Sequence, residues 1–383
     1  MATVWSFPTR VLFGAGSIDE IGPEAKALGA KHVMIISDKG VVNAGLLERV
    51  HASLQAAGLG FAVFDEVSSN PTEQEALRAG RAYTDSQSDL VLAVGGGSPL
   101  DVGKLVCLLA NHSGSLSEYD EAKGGASKIV LEIPPLIAVP TTAGTGSEVG
   151  RSAVVTIEET NRKTVVHSSR LLADLAILDP ELTVSMPPVT TAATGFDALT
   201  HCIEAYCARG DHPMADAIAL SGIQLASENL ERAVDQGSDL AARSEMMKAS
   251  MMGAVAFQKG LGACHSLANP LSAELGLHHG LANALCLPAV MDFNRGIIQD
   301  RVAHVARILG VKGDDSDTLA FECAGAIRLL RRKVGLPDGL SAADVEEDQL
   351  PRLAKLALDD ACHRTNPRNC TEEDMHALYK ASM

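Results

Sequence analysis

In the first half of the chain, apolar residues fall into short runs separated by amphipathic stretches. Val33–Ser37, Phe61–Phe64, Leu90–Val94 and Leu136–Val139 are compact aliphatic or aromatic runs that predict buried strands. Between them, Ser17–Leu28, Asn43–Ala57, the stretch from Thr72 to near Thr84, and Pro99–Ala110 read as helices. Ser17 with Glu20, and Thr72 with Glu75, have the spacing of a capping box, and Pro99 suits a first helical turn. Alternation of this kind predicts a parallel sheet with helices on both faces.

The texture changes at Pro187-Pro188. Strand signals fade, and Ala/Leu/Met-rich segments follow: Val189–Ala208, Met214–Val234, Leu240–Phe257, Gly262–Ala273, His279–Phe293, Asp300–Leu309, Asp317–Val334 and Gln349–Ala361. All are predicted as helices. The expected organisation is an α/β domain over residues 1–187 and an all-α domain over residues 188–383, with a ligand expected in a cleft between them. A chain of 383 residues is long enough for both.

Composition narrows the function classes. Asp and Glu outnumber Lys and Arg by 48 to 32, and the net charge of −16 opposes binding to nucleic acid or to an anionic membrane. Aromatic residues are 3%, too few for base-stacking platforms. The longest apolar runs, such as Leu105–Ala110 and Ala284–Met291, fall far short of the roughly 20 residues a spanning helix needs. The opening MATVWSFPTR lacks a basic region followed by an apolar one, so no secretory leader is expected. The eight cysteines form no C-x-x-C pair, and several sit in apolar runs. They read as reduced side chains of a cytoplasmic protein.

Two loops carry candidate cofactor chemistry. Gly95-Gly96-Gly97-Ser98 follows a predicted strand and opens a helix, whose N-terminus offers free N–H groups to a phosphate. Leu100 stands where G-x-G-x-x-G needs its last glycine, so this is not the usual dinucleotide fingerprint. The second loop, PTTAGTGSE from Pro140 to Glu148, also follows a strand and adds several hydroxyls. Two such loops at the carboxyl ends of one sheet suit a dinucleotide with two phosphates. Asp38, directly after Val33–Ser37, can accept the ribose hydroxyls and repel a 2′-phosphate, or it can cap a helix. Lys163 is either a cation for the cofactor or a solvated surface residue.

The helical half holds a second constellation. Asp197 and His201 stand at i and i+4, on one face of a helix that is otherwise small and apolar. His265, His278 and His279 fall within fifteen residues in an apolar context. A carboxylate and imidazoles on buried faces need partners, and a borderline first-row ion such as Fe(II) or Zn(II) is one that suits them. Ca and Mg, which prefer oxygen ligands, do not. The choice between the adjacent His278 and His279 stays open on spacing alone.

Taken together, these motifs resemble the iron-containing (group III) alcohol dehydrogenase family. The resemblance runs from Phe13-Gly14-Ala15-Gly16-Ser17 through Ser37-Asp38-Lys39, Asn70-Pro71-Thr72, Gly95–Asp101, Thr141–Glu148 and Ala176–Pro180. It continues through Gly195–Tyr206 and the His265-to-His279 stretch, covering nearly the whole chain. It implies a Rossmann-like N-terminal domain that binds the dinucleotide and a helical, metal-binding C-terminal domain. It implies a divalent metal, usually iron with zinc as the alternative, on Asp197, His201, His265 and His279. It implies NAD held by Asp38, Asn70, Gly96, Gly97, Ser98, Asp101, Thr141, Thr142, Thr145 and Lys163. The implied reaction is reversible hydride transfer between a primary or secondary alcohol and NAD. The protein is expected to act on a small-molecule alcohol or aldehyde, as a homo-oligomer of two or more copies.

One position departs from the family pattern. Many relatives carry a further histidine, assigned to proton relay, where this chain has Asn269. An amide does not titrate at neutral pH, so the relay is expected either to differ or to use His278. The wording Gly276-Leu277-His278-His279-Gly280 is similar to that of members acting on short ω-hydroxy acids such as 4-hydroxybutyrate, and Arg151 and Arg209 are cations that could meet a carboxylate. Two related activities share the scaffold. Zinc glycerol dehydrogenases use a different ligand set. Dehydroquinate-synthase-like lyases expect lysines and arginines near the metal, and His265–His279 contains none.

Overall fold

The computed structural model describes residues 7, 9–159 and 162–383. Most of the opening stretch read for a leader, residues 1–6 and 8, lies outside the described residues. The described chain forms two compact units, one of residues 7–142 with 146–185, the other of residues 143–145 with 186–383. No helix among the described residues is long and apolar enough to cross a membrane.

The α/β unit is built on strands β1 (Arg10–Phe13), β2 (His32–Ile36), β3 (Gly60–Phe64), β4 (Leu90–Gly95), β5 (Leu136–Pro140) and β8 (Leu175–Leu178). They pair in the order β1-β8-β5-β4-β2-β3, and every pairing is parallel. Side chains alternate between two cores. Val33, Ile35, Leu92, Val94, Ile137 and Val139 face one; Met34, Ile36, Val91, Ala93 and Ala138 face the other. A parallel strand covered on both sides must be apolar throughout, which is why these runs read continuously rather than alternately. The covering helices are α1 (Ile21–Ala27), α2 (Lys39–Asn43), α3 (Leu47–Ala56), α4 (Glu73–Asp85) and α5 (Gly97–Asn111).

The α/β unit differs from the sequence expectation in four places. The stretch Asn43–Ala57 is not one helix, because Gly45 adopts φ +71° and separates α2 from α3. The Ser17/Glu20 box does not form. Gly16 takes the N-cap position of a short 3₁₀ turn, the Ser17 hydroxyl is buried without a partner, and Asp179 instead accepts the Ile18 N–H at 3.2 Å. The edge strands β1 and β8 carry too few residues to signal alone. An antiparallel hairpin, β6 (Ser152–Ile157) with β7 (Arg162–His167), went unread because Val154 and Val165 put apolar groups on its outer face as well.

The second unit is helical: α6 (Pro188–Cys207), α7 (Pro213–Asp235), α8 (Leu240–Ala256), α9 (Ala263–Leu275), α10 (His279–Asn294), α11 (Gln299–Ile308), α12 (Ser316–Lys333), α13 (Leu350–Asp359) and α14 (Glu372–Ala381). The first eight match the expected helices to within two residues at each end. α14, polar in its first turn, was missed. α6 is buried without a break from Thr191 to Cys207, so it is the central rod of the unit rather than a surface helix. Six of the eight cysteines are buried across the two units, and none is in a disulfide.

The two capping boxes are expected to behave differently on mutation. Thr72 accepts the Glu75 N–H, and Glu75 reaches back to the Thr72 N–H. Thr72→Ala should therefore destabilise the α/β unit by about 1 kcal/mol, read as a shift of its urea midpoint. Ser17→Ala, which removes a buried hydroxyl with no partner, should leave the midpoint unchanged or raise it.

Candidate functional site

α6, α9 and α10 converge on one buried point. Asp197 and His201 lie one turn apart on α6, α9 supplies His265 near its start, and α10 begins with His279. The Nε2 atoms of His201, His265 and His279 stand 3.8, 3.8 and 3.6 Å from Asp197 Oδ1. Donor atoms of Asp197, His265 and His279 all lie within 4.8 Å of one another. The His201 and His265 rings stack with centroids 4.6 Å apart. Donors about 2.1 Å from one tetrahedral ion stand about 3.4 Å apart. The observed separations therefore suit a shared cation and are too long for direct hydrogen bonds.

Close approach of α10 to α6 is required for this. A Cβ on Gly280 would lie 2.0 Å from the Ala193 carbonyl oxygen and 3.2 Å from Asp197 Cβ. The adjacent His279-Gly280 pair thus combines a donor with the absence of a side chain. His278, by contrast, is exposed at the N-cap of α10, and the donor group contains His279.

Electrostatics follow from burial. Burial alone would raise the Asp197 carboxyl, but His201, His279 and His265 together outweigh it and hold it well below the usual carboxylate range. Burial pushes the His201 imidazole down to about 4, against the pull of Asp197. His265 goes the other way: burial lowers it, yet the flanking carboxylates Asp197 and Glu204 raise it to about 9.

Two residues at this point were not assigned from sequence. Glu204 accepts the Nδ1–H of His265 at 2.6 Å. The Asn283 amide donates to Asp197 Oδ1 at 2.8 Å and stands 3.3 Å from Nε2 of both His265 and His279. Both were findable by spacing: Glu204 is seven residues after Asp197 on the same face of α6, and Asn283 four after His279. Asn269 donates its amide to Asp360 Oδ2 at 2.8 Å, and the other oxygen of Asp360 holds the Ser266 hydroxyl and the Cys362 N–H. Arg209 donates to the Pro367 carbonyl at 3.1 and 3.2 Å.

In the α/β unit, α5 starts at Gly97 after an N-cap at Gly96, so Gly96, Gly97 and Ser98 form the turn between β4 and α5. The Ser98 hydroxyl donates to the Ser69 carbonyl, beside the exposed Asn70. Thr141 donates its N–H to the Gly95 carbonyl, and a Cβ on Gly96 would meet Thr142 at 3.5 Å. The two loops are therefore neighbours. Thr145 falls in the segment that clusters with the helical unit. Asp38 caps α2 by accepting the Val41 N–H at 2.9 Å. Asp101 accepts the Ser147 hydroxyl at 2.6 Å and the Val154 N–H at 3.0 Å, so both its oxygens face the protein's own groups. Lys163, on β7, is half-buried rather than a solvated surface residue; burial lowers its ammonium while Asp101 pulls the other way.

Residues 8–180 match the iron-containing alcohol dehydrogenase family, and residues 191–383 match the Fe-containing alcohol dehydrogenase family, C-terminal. The chain belongs to the iron-containing alcohol dehydrogenase family. It is 41% identical to a 4-hydroxybutyrate dehydrogenase of Cupriavidus necator, over 98% of each chain. It is 34% identical to an NAD-dependent methanol dehydrogenase of Bacillus methanolicus, over the full length of both. A solved 1,3-propanediol oxidoreductase superposes with a TM-score of 0.96 at 35% identity, covering all of both chains. Members of this family are NAD-dependent oxidoreductases, and this member is an alcohol dehydrogenase.

The charge states of the site predict how it takes up an ion. In the metal-free protein at neutral pH, His265 holds a proton that a cation must displace, whereas His201 is already neutral. Affinity for Zn(II) or Co(II) should therefore rise with pH toward about 9 and level off above it. Below that pH, uptake should release protons. Competition titrations against a chelator of known affinity across this range would check both.

Proposed function

We propose that this alcohol dehydrogenase interconverts primary or secondary alcohols and their carbonyl products with NAD(H), at an iron(II) centre formed by Asp197, His201, His265 and His279. The observation that carries the reading is the convergence of one carboxylate oxygen and three imidazole Nε2 atoms on a buried point, 3.6 to 3.8 Å from oxygen to nitrogen. An ion held there supplies Lewis acidity toward the alcohol oxygen, and bound NAD supplies the hydride acceptor. The protein's part is to hold the donor set, to exclude water around it, and to position the cofactor. For the cofactor we assign Asp38, Asn70, Gly96, Gly97, Ser98, Thr141, Thr142, Thr145 and Lys163 to direct binding. Asp101 acts through Ser147 and Val154 on the same loops. Asn269 is a positioning residue for Asp360, and His278, exposed at the start of α10, is the proton carrier. The enzyme is assigned to the cytoplasm and to a homo-oligomer.

A specific observation favours a narrower substrate. The 41% identity to a 4-hydroxybutyrate dehydrogenase extends over 98% of both chains. A short ω-hydroxy acid, a primary alcohol with a distal carboxylate, is therefore the second reading.

Chelation should abolish turnover of every alcohol tested while NADH still binds, and Fe(II) should restore activity more fully than Zn(II). Stopped assays with methanol, 1,3-propanediol and 4-hydroxybutyrate would rank the substrates. Full turnover by a preparation shown metal-free by elemental analysis would refute the reading.

Cofactor choice has its own test. Because Asp38 also caps α2, Asp38→Asn keeps an acceptor for Val41 while removing the charge. Loss of charged hydrogen bonds to the ribose, worth about 1.5–3 kcal/mol, should raise the NADP/NAD ratio of kcat/KM by about tenfold or more. An unchanged ratio in the folded variant would remove Asp38 from the assignment.

A further inference from the structure

Glu204 lies on α6, nearly two turns beyond Asp197, and is 4% exposed. Both of its oxygens are turned to the first residues of α9. Oε1 accepts the Cys264 N–H at 2.7 Å. Oε2 accepts the Nδ1–H of His265 at 2.6 Å and lies 3.4 Å from the His265 backbone nitrogen. α9 follows Gly262 and has no cap from its own sequence. The first N–H groups of a helix lack intrahelical partners and form the positive end of its dipole. Here Glu204, from a neighbouring helix, takes those of Cys264 and His265, and Asn366 Oδ1 accepts that of Ala263 at 3.2 Å.

The same carboxylate fixes one imidazole. With Nδ1–H engaged by Glu204, the donor atom left to His265 is Nε2, the atom that faces Asp197 Oδ1. The ring is also held in plane, because the carboxylate is itself anchored at the start of α9. Gly262 belongs to this arrangement: a Cβ there would stand 2.5 Å from Glu204 Oε1 and 2.9 Å from Asn366 Oδ1. Its φ of −149° is open to any residue, so the requirement is for space and not for conformation.

We infer that Glu204 is a positioning residue of the metal centre, one that selects the tautomer and plane of His265 and thereby sets the affinity of the donor set for its ion. The inference rests on the reading that an ion binds at Asp197, His201, His265 and His279. Carboxylates hydrogen-bonded behind a histidine ligand generally raise metal affinity in this way. A role confined to capping α9 would affect folding and leave the ion untouched.

The test compares the full-length parent with Glu204→Gln and Gly262→Ala, each stripped by chelation and titrated with Co(II) and Zn(II). The glutamine keeps the size and a carbonyl acceptor but loses the charge; the alanine leaves Glu204 in the sequence and displaces its carboxylate. Both variants should bind Zn(II) about ten- to a hundredfold more weakly than the parent and shift the visible Co(II) bands, with NADH affinity unchanged. Binding within twofold of the parent and an unaltered Co(II) spectrum in a folded variant would overturn the inference. A parent that binds no ion in these titrations would overturn the metal reading itself. Should neither variant fold, ¹H–¹⁵N spectra of the histidine-labelled, Zn(II)-loaded parent decide the matter. His265 bound through Nε2 with a protonated Nδ1 is the expected result, and coordination through Nδ1 overturns it.

Discussion

Asp197 removes a full carboxylate from water in the middle of a helix, and a buried charge of that kind requires partners. Its partners are imidazoles and an amide, from three helices: His201 on its own, His265 on α9, His279 and Asn283 on α10. Much of the helical unit answers that demand. α6 is covered along most of its length, α10 comes within contact of it at Gly280, and Glu204 ties the start of α9 to the same rod. An aliphatic residue at position 197 would relieve the desolvation penalty and would leave three imidazoles facing one another for no purpose. The buried carboxylate and the imidazoles around it thus form one electrostatic constraint, and three helices are packed to meet it.

The α/β unit has its own buried charge, in a different role. Lys104, on α5, is fully buried and donates to the Ser147 hydroxyl and the Ser152 carbonyl, both at 2.7 Å, with Asp101 Oδ1 at 3.7 Å. Asp101 in turn holds Ser147 and Val154. This links the helix behind the glycine loop to the threonine-rich loop and to hairpin β6–β7. Where the helical unit gathers ligands around a point, this network stiffens two loops from behind.

Most of the layout was legible in the sequence because its periods are strong. The four central strands are unbroken apolar runs, as strands covered on both faces must be, and the first eight helices after Pro187 have sustained patterns. What escaped was weak or tertiary in origin. β1 and β8 have four residues each, and on β6–β7 the outward Val154 and Val165 blur the alternation with the buried Ala153, Val155 and Val166. Ser17 and Glu20 had the right spacing, yet Gly16 and Asp179 took over the turn, and Asp179 is 161 residues distant from its partner Ile18. That Asp197, His201, His265 and His279 belong together was legible through spacing and resemblance. Glu204 and Asn283 share helix faces with Asp197 and His279, a spacing that could have singled them out, but which groups they meet on α9 and α6 depends on tertiary packing.

The buried cysteines have a consequence for how the protein meets oxidants. Burial raises the thiols of Cys107, Cys202, Cys207, Cys264, Cys286 and Cys323, with Cys202, Cys207 and Cys286 reaching about 12. Only the thiolate attacks a disulfide or a peroxide, and at neutral pH these six are almost wholly protonated and out of reach. Cys362 and Cys370 are the two thiols with access to solvent, and partial burial raises that of Cys370 as well, to about 11. A chain with eight cysteines therefore carries six of its thiols as inert packing.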